Sequence, residues 1–217
     1  LLVRHKPEAY TFPHRTFQEF MAACHLAGLP DYIDKAVELV ARDPIRWRIV
    51  FVLAAGHAAR SNQLALAISS VNALSPEGVE EFSDPDAGDF EKAVTAGEAL
   101  IEIGLIGVGR SAVGRLLLKR VKHWLLAAMA ADGTLKKKKR VEAGNILSRL
   151  GDPRFNPDFY YLPREEDFGF INIPAGPFLM GIDKELDKDA QEKDLPQQKM
   201  ELSAYAMSEY PVTVAQY

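Results

Sequence analysis

Apolar residues recur at spacings of three and four through most of the chain up to Leu150, and at a spacing of two beyond it. That change of period predicts helices first and strands afterwards. Residues 1–12 open the chain as a short hairpin: Leu2-Val3 and Tyr10-Thr11-Phe12 favour strands around a polar Arg4-His5-Lys6-Pro7-Glu8 connection. Pro13 ends the ladder. A helix is predicted from about His14, with Phe17, Phe20, Met21 and Cys24 as its apolar face, and Gly28 and Pro30 stop it. Asp31 is placed to cap a helix bearing Ile33, Val37 and Val40. Trp47, Val50, Phe51, Ala54 and Ala55 mark the next. Ser61 or Asn62 can cap a third, with Leu64, Ile68 and Val71. Prolines, glycines and acids make residues 75–88 a loop. Helical pattern resumes near Phe90 and runs to about Ile106.

A longer helix is predicted over residues 111–131, with Val113, Leu117, Val121, Trp124, Leu125 and Ala128 as one apolar stripe. A stripe that wide needs partners, and consecutive helices joined by short turns supply them to one another. No sequence repeat is evident, so an irregular bundle and a HEAT-like stack both fit. After Gly151 the composition shifts. Phe170-Ile171-Asn172-Ile173 and Pro177-Phe178-Leu179-Met180 read as strands around a Pro174-Ala175-Gly176 turn, residues 200–207 as another strand, and Thr213 as the cap of a further helix.

The chain has 217 residues, 47% hydrophobic and 26% charged, which is ordinary globular composition. Its net charge of −4 gives no overall pull toward nucleic acid or membrane. One cysteine, Cys24, cannot form an intrachain disulfide, which fits a reducing compartment. No apolar run reaches the roughly 20 residues of a membrane span, and the opening Leu1-Leu2-Val3-Arg4-His5-Lys6 lacks the form of a signal peptide. Both ends read as cuts through a longer polypeptide. A cytoplasmic setting is the expectation.

Two stretches carry identity. The first runs Tyr10-Thr11-Phe12-Pro13-His14-Arg15-Thr16-Phe17-Gln18-Glu19-Phe20-Met21-Ala22-Ala23. It resembles the phrase that closes the winged-helix part of NACHT-family NTPases, a class of STAND nucleotide-dependent switches. The resemblance implies that His14 reaches the terminal phosphate of bound ADP and helps hold the closed state. An imidazole can donate to a phosphate oxygen, more strongly when protonated and at a helix N-terminus. The alternative is that His14 satisfies a backbone carbonyl or sits half exposed. Gly104-Leu105-Ile106-Gly107-Val108-Gly109-Arg110-Ser111 lacks the lysine of a phosphate loop and reads as an interhelical turn. No cofactor is therefore expected on these residues alone; ADP or ATP with Mg is implied for a parent protein.

The second stretch begins with Arg140-Val141-Glu142-Ala143-Gly144 and Leu150-Gly151-Asp152-Pro153-Arg154. It continues as Phe170-Ile171-Asn172-Ile173-Pro174-Ala175-Gly176-Pro177-Phe178-Leu179-Met180-Gly181, then Pro196, Tyr205 and Pro211-Val212-Thr213-Val214-Ala215-Gln216-Tyr217. This is similar to the opening of formylglycine-generating-enzyme-like (FGE-sulfatase) domains, with Val214 where that family usually has Asn. The resemblance implies an α+β domain of C-type-lectin-like architecture. The expected fold is thus mainly α, an irregular or HEAT-like helical array behind a short N-terminal β-hairpin, followed by the truncated start of the lectin-like domain. The expected domains are residues 1–29 (end of the winged helix), 30–150 (helical connector) and 151–217 (FGE-sulfatase-like).

Other candidates carry less. Cys24, on an apolar helix face, reads as a buried structural thiol. Lys136-Lys137-Lys138-Lys139-Arg140 reads as a solvated helix start, with phosphate contact as the sharper alternative. Asp183, Asp187, Asp189 and Glu192 depart from the calcium-loop order. His5, His25, His57 and His123 show no zinc-ligand spacing. The function expected is a ligand-sensing STAND switch of bacterial defence, with catalytic and metal residues absent from these positions. It would self-associate on activation and bind an unidentified protein or other ligand through the C-terminal domain; nucleic acid and membrane are not expected as partners. The competing expectation is a formylglycine-generating or other metal-dependent modifying enzyme on a helical scaffold.

Overall fold

A computed structural model describes residues 3–6, 9–77, 85–183, 185, 188–189, 191, 196–214 and 216–217, with the side chains of 3–6, 9 and 11 left aside. The chain divides into two compact units, Leu1–Asp152 and Pro153–Tyr217.

The first unit is helical behind a hairpin. Strands β1 (Val3–Lys6) and β2 (Ala9–Thr11) pair antiparallel. Helices follow as α1 (Arg15–Ala27), α2 (Tyr32–Arg42), α3 (Pro44–Arg60), α4 (Leu64–Leu74), α5 (Ala87–Ile103), α6 (Leu105–Arg110), α7 (Ala112–Ala130) and α8 (Lys137–Leu150). Short polar side chains start several of them. Asp43 accepts from the Arg46 amide with Pro44 at the first helical position, Asp86 from Asp89, and Ser111 from Gly114. Asp31 occupies the cap of α2 without such a bond. The cap of α4 is Gln63 rather than Ser61 or Asn62, because Asn62 turns the chain at φ 62°.

The helices stack in two layers. One holds α1 on α3, α3 on α5 and α5 on α8. The other begins with α2 on α4, and α7 packs against both α5 and α8. The stack uses a repeat that the sequence hides. Ala55-Gly56 in α3, Ala96-Gly97 in α5 and Ala143-Gly144 in α8 each place a fully buried alanine beside a glycine. A Cβ on Gly97 would meet Ile146 Cγ2 of α8 at 2.6 Å, and one on Gly56 would meet Glu102 Cγ of α5 at 2.5 Å. These glycines let neighbouring helices of one layer come close. Both α5 and α8 then stop at a glycine with positive φ, Gly104 at 99° and Gly151 at 87°. Gly104 also divides what reads as one helix to Ile106 into α5 and the short α6, so the glycine-rich stretch is itself mostly helical.

Across the same layer runs an ion ladder. Arg48 of α3 donates from Nε to Glu98 of α5 at 2.8 Å and from Nη2 to Glu142 of α8 at 2.6 Å. Lys139 lies 3.5 Å from both Glu142 and Glu91. Between the layers Trp124, Tyr32, Phe51, Leu100, Leu117, Leu125 and Leu147 are almost wholly enclosed, and the Tyr32 hydroxyl donates to Ser70 at 3.1 Å. Val113, expected in the α7 stripe, is 55% exposed.

The second unit is a ribbon. After the short pair β3 (Phe155–Asn156) and β4 (Leu162–Pro163), strand β5 (Phe170–Ile173) pairs antiparallel with β8 (Tyr205–Ser208), and β6 (Gly176–Met180) with β7 (Gln198–Leu202). The Pro174-Ala175-Gly176 turn therefore joins no hairpin. Ile173 opposes Tyr205 and Gly176 opposes Leu202, so one register continues across a break. Pro174 lacks the amide to bridge that break. Strand pattern over residues 200–207 likewise splits at Ser203-Ala204.

Candidate functional site

The strand-to-helix transition at the head of the chain is built by Pro13 and His14. After β2, His14 takes an extended backbone (φ −134°, ψ 143°) as the cap of α1. Its side chain makes no capping bond and is exposed, with the ring 6.3 Å from that of Phe17. The imidazole thus stands at the positive end of a helix of 13 residues. Next to it, Arg15 turns down the helix and pairs with Glu19 at 2.7 Å. That ion pair borders a shallow hollow of about 360 Å³ between α1 and α3, lined by Gln18, Ala22, Arg46, Trp47 and Val50. The Arg46 guanidinium stacks 5.7 Å over the Trp47 ring.

Helix α1 does not bury the face its sequence suggests. Phe17, Phe20 and Met21 are exposed by 42%, 42% and 46%, while Ala23, Leu26 and Ala27 pack inward. The helix is turned so that small residues meet α3. Cys24 is accordingly half-buried rather than enclosed, and its Sγ lies 3.7 Å from His57 Nδ1. Phe20 meets the same imidazole edge-on. Sequence spacing had no means of joining Cys24 to His57, since α1 and α3 converge only in the fold. No third side chain hydrogen-bonds His57 among the described residues, so the pair has no orienting group of the kind a nucleophile's base requires.

The other sequence candidates stay apart. Lys139 and Arg140 are engaged in ion pairs, the latter with Asp132 and the Met129 carbonyl. Asp183 caps its own turn by accepting from the Glu185 amide at 2.9 Å; Asp187 and Glu192 lie outside the described residues. Among the described residues no three His, Cys, Asp or Glu side chains gather to hold a metal ion, and no helix is long and apolar enough to cross a membrane.

In the second unit a small cluster forms around Tyr210, which the sequence pattern did not single out. Its ring covers Gly169, where an added Cβ would lie 3.1 Å from the ring, and meets Phe155 edge-on. Its hydroxyl donates to Glu165 at 2.9 Å, and that carboxylate holds the phenol above its usual pKa. Asn172 of β5 donates to Asp167 at 3.1 Å. Thr213 begins a turn, not a full helix among the described residues. The Gln216 side chain accepts from the Thr213 amide at 2.7 Å, the reciprocal half of a capping box.

Residues 157–217 match the family model of the sulfatase-modifying factor enzyme 1-like (FGE-sulfatase) domain. The chain carries FGE-sulfatase sequence there. No curated protein and no solved structure matches the chain. Strands β5 to β8, the Thr213 turn and Tyr210 with Gly169 and Glu165 lie within the matched residues.

Proposed function

We propose that this chain is the connecting part of a nucleotide-dependent STAND switch, in which the helical array links a phosphate-sensing His14 to a ligand-binding FGE-sulfatase segment of lectin-like fold. The observation that carries the reading is the placement of His14. His14 holds the cap position of a helix shortly after a strand, and its imidazole is exposed and makes no capping bond. An anion at that point gains from the helix dipole and from a charge-assisted bond if the ring is protonated. Of the described residues at the head of the chain, His14 fits a terminal phosphate. The Arg15 guanidinium is engaged with Glu19.

ADP, or ATP with Mg, would supply the phosphate; the residues of this chain would hold its end and release it. The layered stack can carry a displacement, because Arg48, Glu98 and Glu142 join three successive helices of one layer. A ligand at the FGE-sulfatase segment would act only by binding one state of the switch better than the other. Self-association on release, and a defence setting, belong to this reading. In the protein that carries the nucleotide-binding domain, His14→Ala should shorten ADP retention about tenfold, the loss of one charge-assisted bond. Unchanged nucleotide occupancy after purification would remove His14 from the mechanism.

The family description of residues 157–217 favours a second reading, a modifying enzyme carried on a helical scaffold. Mass spectrometry of a cysteine-containing peptide incubated with the protein separates the two. Conversion of the thiol to an aldehyde supports the enzyme.

A further inference from the structure

The net charge of −4 conceals a strong segregation. From Gly104 to Leu150 the chain holds eleven lysines and arginines against two acids, Asp132 and Glu142. Both acids are already neutralised: Asp132 by Arg140, and Glu142 by Arg48 and Lys139. Helix α7 has no acidic residue at all.

Six of the remaining cations stand exposed on two helices that pack together. Helices α7 and α8 pack on each other, and both pack on α5. They run antiparallel, since Gly144 sits beside Met129 and Gly151 beside Lys122. Leu117, Val121, Trp124, Leu125 and Ala128 of α7 face the core, as do Ala143, Ile146, Leu147 and Leu150 of α8. The exposed residues of the two helices therefore lie off the faces that build the core. These exposed positions include Arg115 and Lys119, one turn apart on α7, Lys136, Lys137 and Lys138 at the start of α8, and Arg149 near its end. None of these six forms an ion pair among the described residues. With 19 residues in α7, the surface spans about 28 Å.

We propose that this α7–α8 surface binds the phosphate backbone of double-stranded nucleic acid without regard to sequence. Overall charge argues against such a partner, but the local surface is what a polyanion meets within a Debye length of about 8–10 Å. The chemistry selects among polyanions. The surface exposes no Phe, Tyr or Trp, so it offers single-stranded bases nothing to stack on. The apolar faces of both helices are consumed inside the stack, leaving Val113, Leu116 and Val141 scattered singly, which is no wedge for a lipid interface. An acidic protein would be held by aromatic and arginine anchors in pockets, and this surface is lysine-rich with no such aromatic. A row of exposed cations on rigid helices suits phosphates on a stiff duplex.

The test is fluorescence anisotropy of the whole chain with a duplex of about 20 base pairs, across roughly 50–200 mM salt. Binding should weaken more than tenfold over that range. With about four phosphates engaged, log K against log salt has a slope of about −3.6. Lys119→Glu, Lys137→Glu and Lys138→Glu together should lower affinity at least tenfold at about 50 mM salt and flatten the slope by about two to three. Lys199→Glu, a single reversal of the same kind in the other unit, should leave both unchanged. Circular dichroism confirms the fold of each variant, and the milder Lys137→Gln with Lys138→Gln should reproduce part of the loss. No duplex binding at about 50 mM salt, or binding indifferent to the triple reversal, overturns the proposal. So does capture by phosphatidylserine vesicles or polyglutamate without any duplex binding, which would assign the surface to lipid or to an acidic protein.

Discussion

Gly97 shows how much a single missing carbon decides. A methyl there would drive into Ile146 at 2.6 Å, with Leu125 and Leu150 close behind. Gly97→Ala should destabilise the helical unit by about 1–3 kcal/mol, even though alanine is the better helix former. Urea denaturation measures this. Adding Ile146→Ala should recover part of the loss relative to the sum of the two single changes. Additive behaviour would mean that α5 and α8 do not meet there. Glu142 gives a pH prediction at the same scale. Burial pushes its carboxyl up, but Arg48 and then Lys139 pull it down further, so its folded pKa lies below the usual value. A carboxylate depressed on folding stabilises above its unfolded pKa, about 4.3, and loses that contribution as pH falls through the folded value. Stability of the native chain should therefore drop as pH is lowered below about 4.3, and Glu142→Gln should flatten that part of the profile.

Among the elements, α1 separates what a sequence pattern shows from what a fold uses. Spacing placed the helix and its ends correctly, and put Phe17, Phe20 and Met21 on one side. It could not say that this side would stay open while Ala23, Leu26 and Ala27 met α3. Amphipathic pattern ranks faces by greasiness, whereas close helix packing selects small residues. Leu26→Ala should accordingly cost about 2–5 kcal/mol, against less than about 1 for Met21→Ala, by thermal or chemical denaturation. The Ala-Gly repeat was missed for the same reason: two small residues in each of three helices carry little weight in a search for hydrophobic period. The place of His14 between strand and helix was legible because Pro13 breaks the ladder just before it. The Cys24–His57 contact was not, since nothing in either local sequence refers to the other.

At the scale of the molecule, the two units differ in what holds them. Among the described residues, every member of the buried hydrophobic core, from Ala23 to Leu150, lies in the helical unit. In the ribbon, Phe170, Ile171, Leu179, Met180, Leu202 and Met207 are all more than 40% exposed. Opening should follow that difference. Amide exchange in β5 to β8 should run orders of magnitude faster than in α3, α5 and α7, and residues 1–152 alone should keep the urea midpoint of the whole chain. Equal protection in ribbon and core would contradict this. The register of the ribbon, constant across the break at Pro174, had no sequence signal beyond alternation, because pairing partners so distant are fixed by the whole fold and not by a turn.

The shared alanine-glycine pair of α3, α5 and α8 bears on how such an array could change in size. At two joints, α3 on α5 and α5 on α8, the approach rests on a glycine, Gly56 and Gly97, so the joint asks little of the particular partner. Duplicating or deleting one helical pair would present the same docking groove to the next. The helical unit could then lengthen or shorten one helix at a time, about 8–10 Å each, without a new interface having to be invented.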